Sequence, residues 1–531
     1  MTPRTFCVPG SFFRPGGVDM AVGKRERCME VAAMALNMEK KTVSGERLAG
    51  TARVQVPLRS ESASTGVREA AEVLWEDARL YISGAEAHDG SVRVEGTLYC
   101  QALYRLEGDS AIKTAQSETA IGEEIEMEAA RRGMAATAWG EVEHLEAEYV
   151  GGRVVFSAAL ELGCEATEDF EAQVVQSAAG EGLEVKISRF PLRRATGEAR
   201  ERVTLRDEVS LPSALRARGV LLSRCAVRGV VCQREEGGLR VGGEVLLEAL
   251  VRCGVEERPL AMVKYAMPFE QALPLPQDAP GEPAAQAQVK ALACQLDDEE
   301  PEDAAIRVSC EVDVSARIYD TREAACVTDA YGTADTDYAV KTEPLSLSSG
   351  INEAQGRSDF RGEILLGDGA GVGAVLAARV QPCVSEAEGD AVRGVVESVC
   401  LYVPAGREQV ACARGESPFE IRLDQPLPEN ARLRVEAADA DAVSVVTGRL
   451  EVRASLTAKA SWRQETALPA AADLIPSPAA PRPSAIRIRY AQRGETLWDI
   501  ARLCRVREED LRRLNPGMEQ PEDGSPVIVW A

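Results

Sequence analysis

One stretch of sequence occurs three times in this chain, each time around a glycine inside an apolar run. The copies are SVRVEGTLYCQALYRLEGD from Ser91, GLRVGGEVLLEALVRCGVE from Gly238 and DAVRGVVESVCLYVPAGRE from Asp390. Their shared glycines, Gly96, Gly243 and Gly394, are about 150 residues apart. Similarity at a fixed spacing indicates consecutive copies of one structural unit, so the fold has to accommodate a triplication.

The end of each copy alternates between apolar and polar residues, which is the pattern of a half-buried β-strand. The apolar positions are Val154, Phe156, Ala158, Leu160 and Leu162; then Ile306, Val308, Cys310, Val312 and Val314; then Val446, Leu450, Val452, Ala454 and Leu456. Clusters of Gly, Asp, Pro and Asn bound these runs, as turns require. We therefore expect a mainly β protein with three tandem β-sandwich-like domains. A short helical or loop segment is expected before the first copy, in GVREAAEVLWEDARL.

Composition and the repeats together divide the chain into six parts. We expect a flexible N-terminal tail over residues 1–44, repeats over 45–190, 195–345 and 346–466, a Pro/Ala-rich linker over 467–484 and a terminal unit over 485–531. The linker sequence, LPAAADLIPSPAAPRPS, is typical of a stiff, extended spacer. The glycine that the repeats share is compatible with a β-bulge or tight packing spot, or with close approach of a partner's backbone.

The terminal unit has the signals of two short helices between two strands. IRIRY alternates as a strand, and Thr496 can cap a helix whose third residue, Asp499, returns the hydrogen bond. An apolar face then repeats at helical spacing through Leu497, Ile500, Ala501 and Cys504. VREEDLRRL predicts a second helix that ends at Asn515 and Pro516, and SPVIVWA predicts a closing strand. The predicted order is β-α-α-β.

These motifs resemble a LysM module over their whole length, from YAQRGETLWDIARLC to EDGSPVIV. The resemblance implies a shallow groove that binds N-acetylglucosamine-containing glycans. Its two sides would be formed by Gly494, Glu495, Thr496 and Leu497, and by Asn515, Pro516, Gly517 and Met518. Glu495 stands where the family more often has Asp. Arg507 replaces a capping Ser, Thr or Asp, which costs the second helix about 1 kcal/mol.

The three repeats resemble SPOCS domains of spore-coat morphogenetic proteins. The resemblance depends on the strand VRVEGTLYCQALY, on PFE in MPFEQAL and SPFEIRL, and on the tandem repetition. Three such domains followed by one LysM resemble the layout of SipL-like proteins. This implies a role in endospore formation in the mother-cell cytoplasm, at the outer forespore surface. It also implies docking onto the coat's basement-layer ATPase, or another coat protein, with the LysM serving partly as a protein-docking surface.

Charge and hydropathy narrow the classes of partner and compartment. The chain of 531 residues has a formal net charge of −24, which opposes binding to nucleic acid or anionic membranes and favours a basic protein surface. It contains no apolar run of transmembrane length, so no transmembrane segment is expected. The N-terminus lacks the apolar core of a signal peptide. A start at Met38 is an alternative to Met1.

The residues that usually carry catalysis or bind metals are sparse. The two histidines, His88 and His144, lie in turn-like and acidic surroundings, and the 14 cysteines form no C-x-x-C pair. We expect no metal site, reduced core cysteines and a reducing compartment. The glycine-rich LLGDGAGVGAVL lacks the pattern of a nucleotide loop, and the acidic LDDEEPED is expected to be a solvated loop. We expect neither an enzyme nor a cofactor.

Three functions are compared on these observations, and the first is the one expected. The first is a non-enzymatic scaffold of the spore coat whose terminal unit docks a coat protein or an N-acetylglucosamine glycan. The second is a peptidoglycan-binding cell-wall protein anchored through its LysM. The third is a wall hydrolase with a hidden carboxylate pair, for which the sequence singles out no residues.

Overall fold

The computed structural model describes residues 36–66, 70–274, 279–297, 304–367, 371–446, 448–480 and 485–530. Strands make up most of these residues, which confirms the expected mainly β fold. None of the helices in this part of the chain has the length and apolar character needed to cross a membrane. A flexible tail is expected over residues 1–44, but residues 37–44 form the start of β1. Residues 1–35 lie outside the described ranges.

Each repeat consists of six strands. The first contains β1 (Asn37–Glu61), β2 (Ala71–His88), β3 (Ser91–Leu106), β4 (Ile112–Glu126), β5 (Ala135–Val150) and β6 (Arg153–Ala179). The second contains β7 (Leu183–Ser210), β8 (Ala217–Glu235), β9 (Gly238–Cys253), β10 (Leu260–Pro274), β11 (Glu282–Asp297) and β12 (Ala305–Gly332), with a 3-10 turn at Ser213–Leu215. The third contains β13 (Thr336–Leu365), β14 (Val372–Glu388), β15 (Ala391–Pro404), β16 (Ala411–Arg422), β17 (Arg432–Val446) and β18 (Arg449–Pro478).

The same topology occurs in all three repeats. The sheets have the orders β1-β6-β5 and β2-β3-β4, then β11-β12-β7 and β10-β9-β8, then β13-β18-β17 and β14-β15-β16. In each repeat the two antiparallel sheets enclose one apolar core, as in a sandwich. The alternating residues predicted to point inward are buried in all three closing strands, apart from Val446, whose side chain lies outside the described set. Residues 71–80 of the segment before the first copy are not helical, because they are part of β2.

The repeated glycines lie opposite a β-bulge in the second strand of each repeat. The pairing shifts between Ile82 and Gly84, between Arg228 and Val231, and between Val384 and Glu386. A Cβ atom added to Gly96 would lie 2.5 Å from the Tyr81 carbonyl oxygen, and one added to Gly394 would lie 2.0 Å from that of Cys383. The equivalent distance from Gly243 to the Arg228 oxygen is 3.2 Å. Bulging and close packing within the sheet therefore explain these glycines.

The three sandwiches close into a ring. The fourth strand of each repeat contacts the second strand of the next: β4 contacts β8, β10 contacts β14, and β16 returns to β2. A second bulge in β2, β8 and β14 leaves Leu74, Leu221 and Leu376 without a cross-strand partner. These three leucines are buried in one core shared by all three repeats.

Ion pairs between the first and third repeats reinforce this closure. The guanidinium of Arg379 donates to the Asp77 carboxylate at 2.8 Å, and both side chains are about nine-tenths buried. Arg379 also lies over the ring of Trp75, 5.8 Å from its centroid. Arg414 donates two hydrogen bonds to Glu76, whose side chain is 6% exposed. The carboxylates of Asp77 and Glu76 are thus desolvated and paired across the junction that completes the ring.

The first and last strands of each repeat extend beyond their sandwich as a two-stranded ribbon. The three ribbons comprise residues 37–48 with 167–179, 183–195 with 319–332, and 336–348 with 465–478. They pack against one another through two small cores that include Val43, Phe190, Leu345, Val327 and Leu474. The structure differs here from the expected linker, because residues 467–478 pair with β13. The three units accordingly span residues 37–179, 183–332 and 336–478, in place of the expected 45–190, 195–345 and 346–466.

Candidate functional site

The terminal unit, which we call the module, consists of two strands and two helices. They are β19 (Ile486–Tyr490), α1 (Leu497–Cys504), α2 (Glu508–Leu514) and β20 (Pro526–Trp530). This confirms the predicted β-α-α-β order, and β19 pairs antiparallel with β20. The predicted capping box is also present. The Thr496 amide donates to Asp499 Oδ2 at 2.8 Å, and the Asp499 amide donates back to Thr496 Oγ1 at 3.3 Å.

The first loop of the predicted groove is held by its own carboxylates. Glu495 accepts the Gln492 amide at 2.9 Å and the Arg489 guanidinium at 2.6 Å. The backbone hydrogen bond, followed by the arginine, lowers the pKa of Glu495 below its usual value. Glu495 is therefore ionised near neutral pH and already engaged. Gly494 lies at φ 81°, in the left-handed region that lets the chain turn here.

The second loop depends on Asn515, which joins α2 to β20. Its side-chain amide donates to the carbonyls of Leu511 and Ile528, each at 2.8 Å, and its oxygen accepts the Ile528 amide at 2.8 Å. Asn515 is 8% exposed, so these bonds occupy its side chain in a structural role. At the start of α2, Arg507 makes no capping hydrogen bond, as its side chain predicts.

The eight predicted groove residues differ in how accessible they are. Leu497 and Asn515 are buried; Glu495, Thr496 and Met518 are half-buried; Gly494, Pro516 and Gly517 are exposed. Leu497 from the first loop and Met518 from the second pack on the same small core, which relates the two loops. Of these eight residues, the parts accessible to a ligand are mainly the backbone at the two glycines, the Pro516 ring and part of Met518.

The module is docked on the ring through α1. Trp498 Nε1 donates to Asp329 Oδ2 at 2.8 Å, and Arg502 donates to the same oxygen at 2.9 Å. The Tyr331 ring meets the Trp498 ring edge-on, with centroids 4.9 Å apart. The Tyr331 hydroxyl donates to the Val506 carbonyl at 2.9 Å, and burial raises the pKa of Tyr331. The end of β12 thereby completes the core of the module.

Arg505 fastens the other end of α1. Its guanidinium donates to the carbonyls of Gly332 at 3.1 Å, Ala480 at 2.8 Å and Ala334. Arg505 is also the left-handed residue, at φ 53°, that ends α1. The structure differs here from the expected independent unit on a stiff spacer. The helix has a second buried side at Trp498, which a single-faced apolar pattern does not reveal.

Removing the acceptor in this contact should release the module. In Asp329→Ala, the Trp498 indole N–H and Arg502 lose their shared acceptor, so we expect docking to weaken by about 1–3 kcal/mol. Hydrogen exchange by mass spectrometry should accelerate in α1 and at the end of β12. Asp523→Ala, in an exposed loop of the module, is the control and should exchange like the wild type. Unchanged exchange in Asp329→Ala would show that Asp329 does not hold the module.

Comparison with known protein families gives a match in the first repeat. Residues 69–150, which include β2 to β5, match the family model described as SipL, SPOCS domain. No curated protein and no solved structure matches the chain.

Proposed function

We propose that this chain, whose residues 69–150 belong to the SipL SPOCS domain family, is a non-enzymatic scaffold of the spore coat. The SPOCS domain connects the chain with sporulation and the spore coat, and with interactions among coat proteins. In our proposal the protein acts in the mother cell at the forespore surface, where it docks on the coat's basement-layer ATPase or another coat protein. The observation that carries this proposal is the SPOCS match within a threefold ring.

We extend the SPOCS assignment to the second and third repeats. The matched segment, β2 to β5, corresponds to β8–β11 and β14–β17 in strand order and pairing. The bulges in β2 also recur at equivalent places in β8 and β14. Independent domains would have no reason to share these irregularities, so three copies of one unit are the simplest account.

We assign the module as a LysM whose loops bind a protein in preference to a glycan. Three features support the LysM assignment: the β-α-α-β order, the Thr496 capping box, and the hydrogen bonds by which Asn515 joins α2 to β20. Among the eight predicted groove residues, the side chains of Glu495 and Asn515 are already engaged, so these two offer little to sugar hydroxyls. A protein partner can use the exposed backbone and the Pro516 ring without such groups.

The proposal can be tested by imaging the full chain fused to a fluorescent protein in sporulating cells. We expect a shell around the forespore, and diffuse mother-cell fluorescence would overturn the proposal. A Gln492→Glu/Pro516→Glu variant places charges on the exposed parts of both loops and should lose the shell. Glu509→Ala, on the exposed side of α2, is the matched control and should keep it.

The second candidate is a peptidoglycan-binding protein anchored through the module. It is favoured by the exposed backbone of Gly494 and Gly517, which lie where the LysM resemblance places glycan contacts. Sedimentation with purified peptidoglycan separates the two candidates. The scaffold proposal expects no retention, whereas retention lost in Gln492→Glu/Pro516→Glu would favour wall binding.

A further inference from the structure

The outer face of the module's two-stranded sheet consists of apolar side chains. Alternate residues of β19 and their cross-strand partners form three rungs: Ile486 with Trp530, Ile488 with Ile528, and Tyr490 with Pro526. Ile486 is 73% exposed, Ile488 62%, Tyr490 66%, Ile528 41% and Trp530 62%. On the inner side, Val527 and Val529 are buried in the module core. We call the six-residue surface the outer face.

The outer face is large for a surface without a partner. From the usual sizes of these side chains and their exposure, it presents on the order of 600 Å² of apolar area. The largest apolar patch of a typical monomer is roughly 300–600 Å², and a stable dimer buries about 800 Å² per partner. The contact between the module and the ring does not use this face, because docking occurs through α1. The outer face alone thus approaches the area of a standard interface.

We propose that the outer face is covered by the same face of a second copy of this chain, so that the protein is a homodimer joined at its modules. None of the six side chains carries a charge, so a twofold arrangement sets apolar against apolar and buries no unpaired charge. Two such sheets, stacked about 10 Å apart, form a four-stranded sandwich, which gives each two-stranded sheet a second apolar layer.

Electrostatics favours the module as the place where two copies meet. The chain carries a net charge of −24, so two rings repel each other. The module contains equal numbers of arginines and carboxylates, so its side chains add no net charge to the repulsion between two copies. A dimer joined at this point keeps the acidic rings at opposite ends. This inference stands independently of the proposed function.

The test is the mass of the full chain in solution over a concentration series, by sedimentation or light scattering. We expect a dimer at micromolar concentration. In Ile488→Glu, a charge is placed on the central rung, and association should weaken by about 100-fold or more. Leu503→Glu is the matched control, because Leu503 has the same 62% exposure as Ile488 but lies on α1, and this variant should remain dimeric.

Folding and the identity of the occupant are checked in the same experiment. Ile486→Glu, at the most exposed position, should also be monomeric, and both variants should keep the wild-type circular dichroism spectrum at room temperature. A chain that is monomeric at 100-fold higher concentration overturns the proposal. So does a dimer that survives both outer-face substitutions. A monomer that instead binds an apolar coat protein through this face overturns the second copy as its occupant.

Discussion

Asp77→Ala is expected to lower the free energy of unfolding of the full chain by about 3–5 kcal/mol. The substitution leaves the Arg379 guanidinium, 7% exposed, without its carboxylate at the junction of the first and third repeats. The large effect follows from burial, because the unpaired charge cannot recover its hydration without opening the ring. Urea or thermal unfolding of the full chain measures it.

Two control variants distinguish charge burial from loss of packing. Asp77→Leu combined with Arg379→Met removes both charges and should recover most of the lost stability, since apolar replacements of a buried pair are often neutral. Glu61→Ala removes the partner of Arg153 in an exposed pair and should leave the unfolding midpoint nearly unchanged. If Asp77→Ala behaves like Glu61→Ala, the pair does not hold the ring closed.

Alanine at the three repeated glycines is expected to destabilise the protein in a graded order, with Gly394→Ala worst, then Gly96→Ala, then Gly243→Ala. At Gly394 the new methyl group would lie 2.0 Å from a backbone carbonyl oxygen, which the bulged strand cannot move cheaply. We expect a loss of about 3 kcal/mol there, at the upper end for overpacking. At Gly243 the nearest atoms belong to the Phe269 ring, 3.0 Å away, and a side chain can shift more easily.

Melting temperatures of the three single variants check this order. Gly219→Ala is the control, because Gly219 lies in β8 and an added methyl group would meet nothing within 4 Å. That substitution should be neutral or slightly stabilising. An equal effect at all four positions would mean that loss of glycine's backbone freedom, and not the bulge, accounts for the glycine in each repeat.

Local sequence patterns predict the sandwiches but not how they assemble. Strict alternation in residues such as Phe156 and Leu160 identifies the closing strands because one face of each sheet is buried. The contacts that close the ring come from Leu74, Leu221 and Leu376, which lie in bulges and so interrupt the alternation. The bulge at Leu74 interrupts the alternation in the segment before the first copy, so that segment resembles a helix in sequence. The residues that join the three sandwiches are therefore ones that break the alternating pattern.

Proline composition misleads at the end of the third repeat for a similar reason. Pro469, Pro476 and Pro478 predict a spacer, yet all three lie in β18 and pair with β13. In this ribbon each strand has only one neighbour, and the edge of a sheet tolerates residues without an amide hydrogen. Thr496 and Asn515 were identifiable from spacing because capping is local. The Trp498–Asp329 contact was not, since its partners are 169 residues apart.

Closure of the ring by β16 has a consequence for biosynthesis. Until residue 422 has left the ribosome, β2 lacks its neighbour from the third repeat, and part of the apolar surface around Trp75 stays uncovered. At 5–20 residues per second this wait lasts roughly 15–70 s. A nascent chain therefore needs protection from aggregation during that interval, and fragments that lack the third repeat would never gain their missing neighbour.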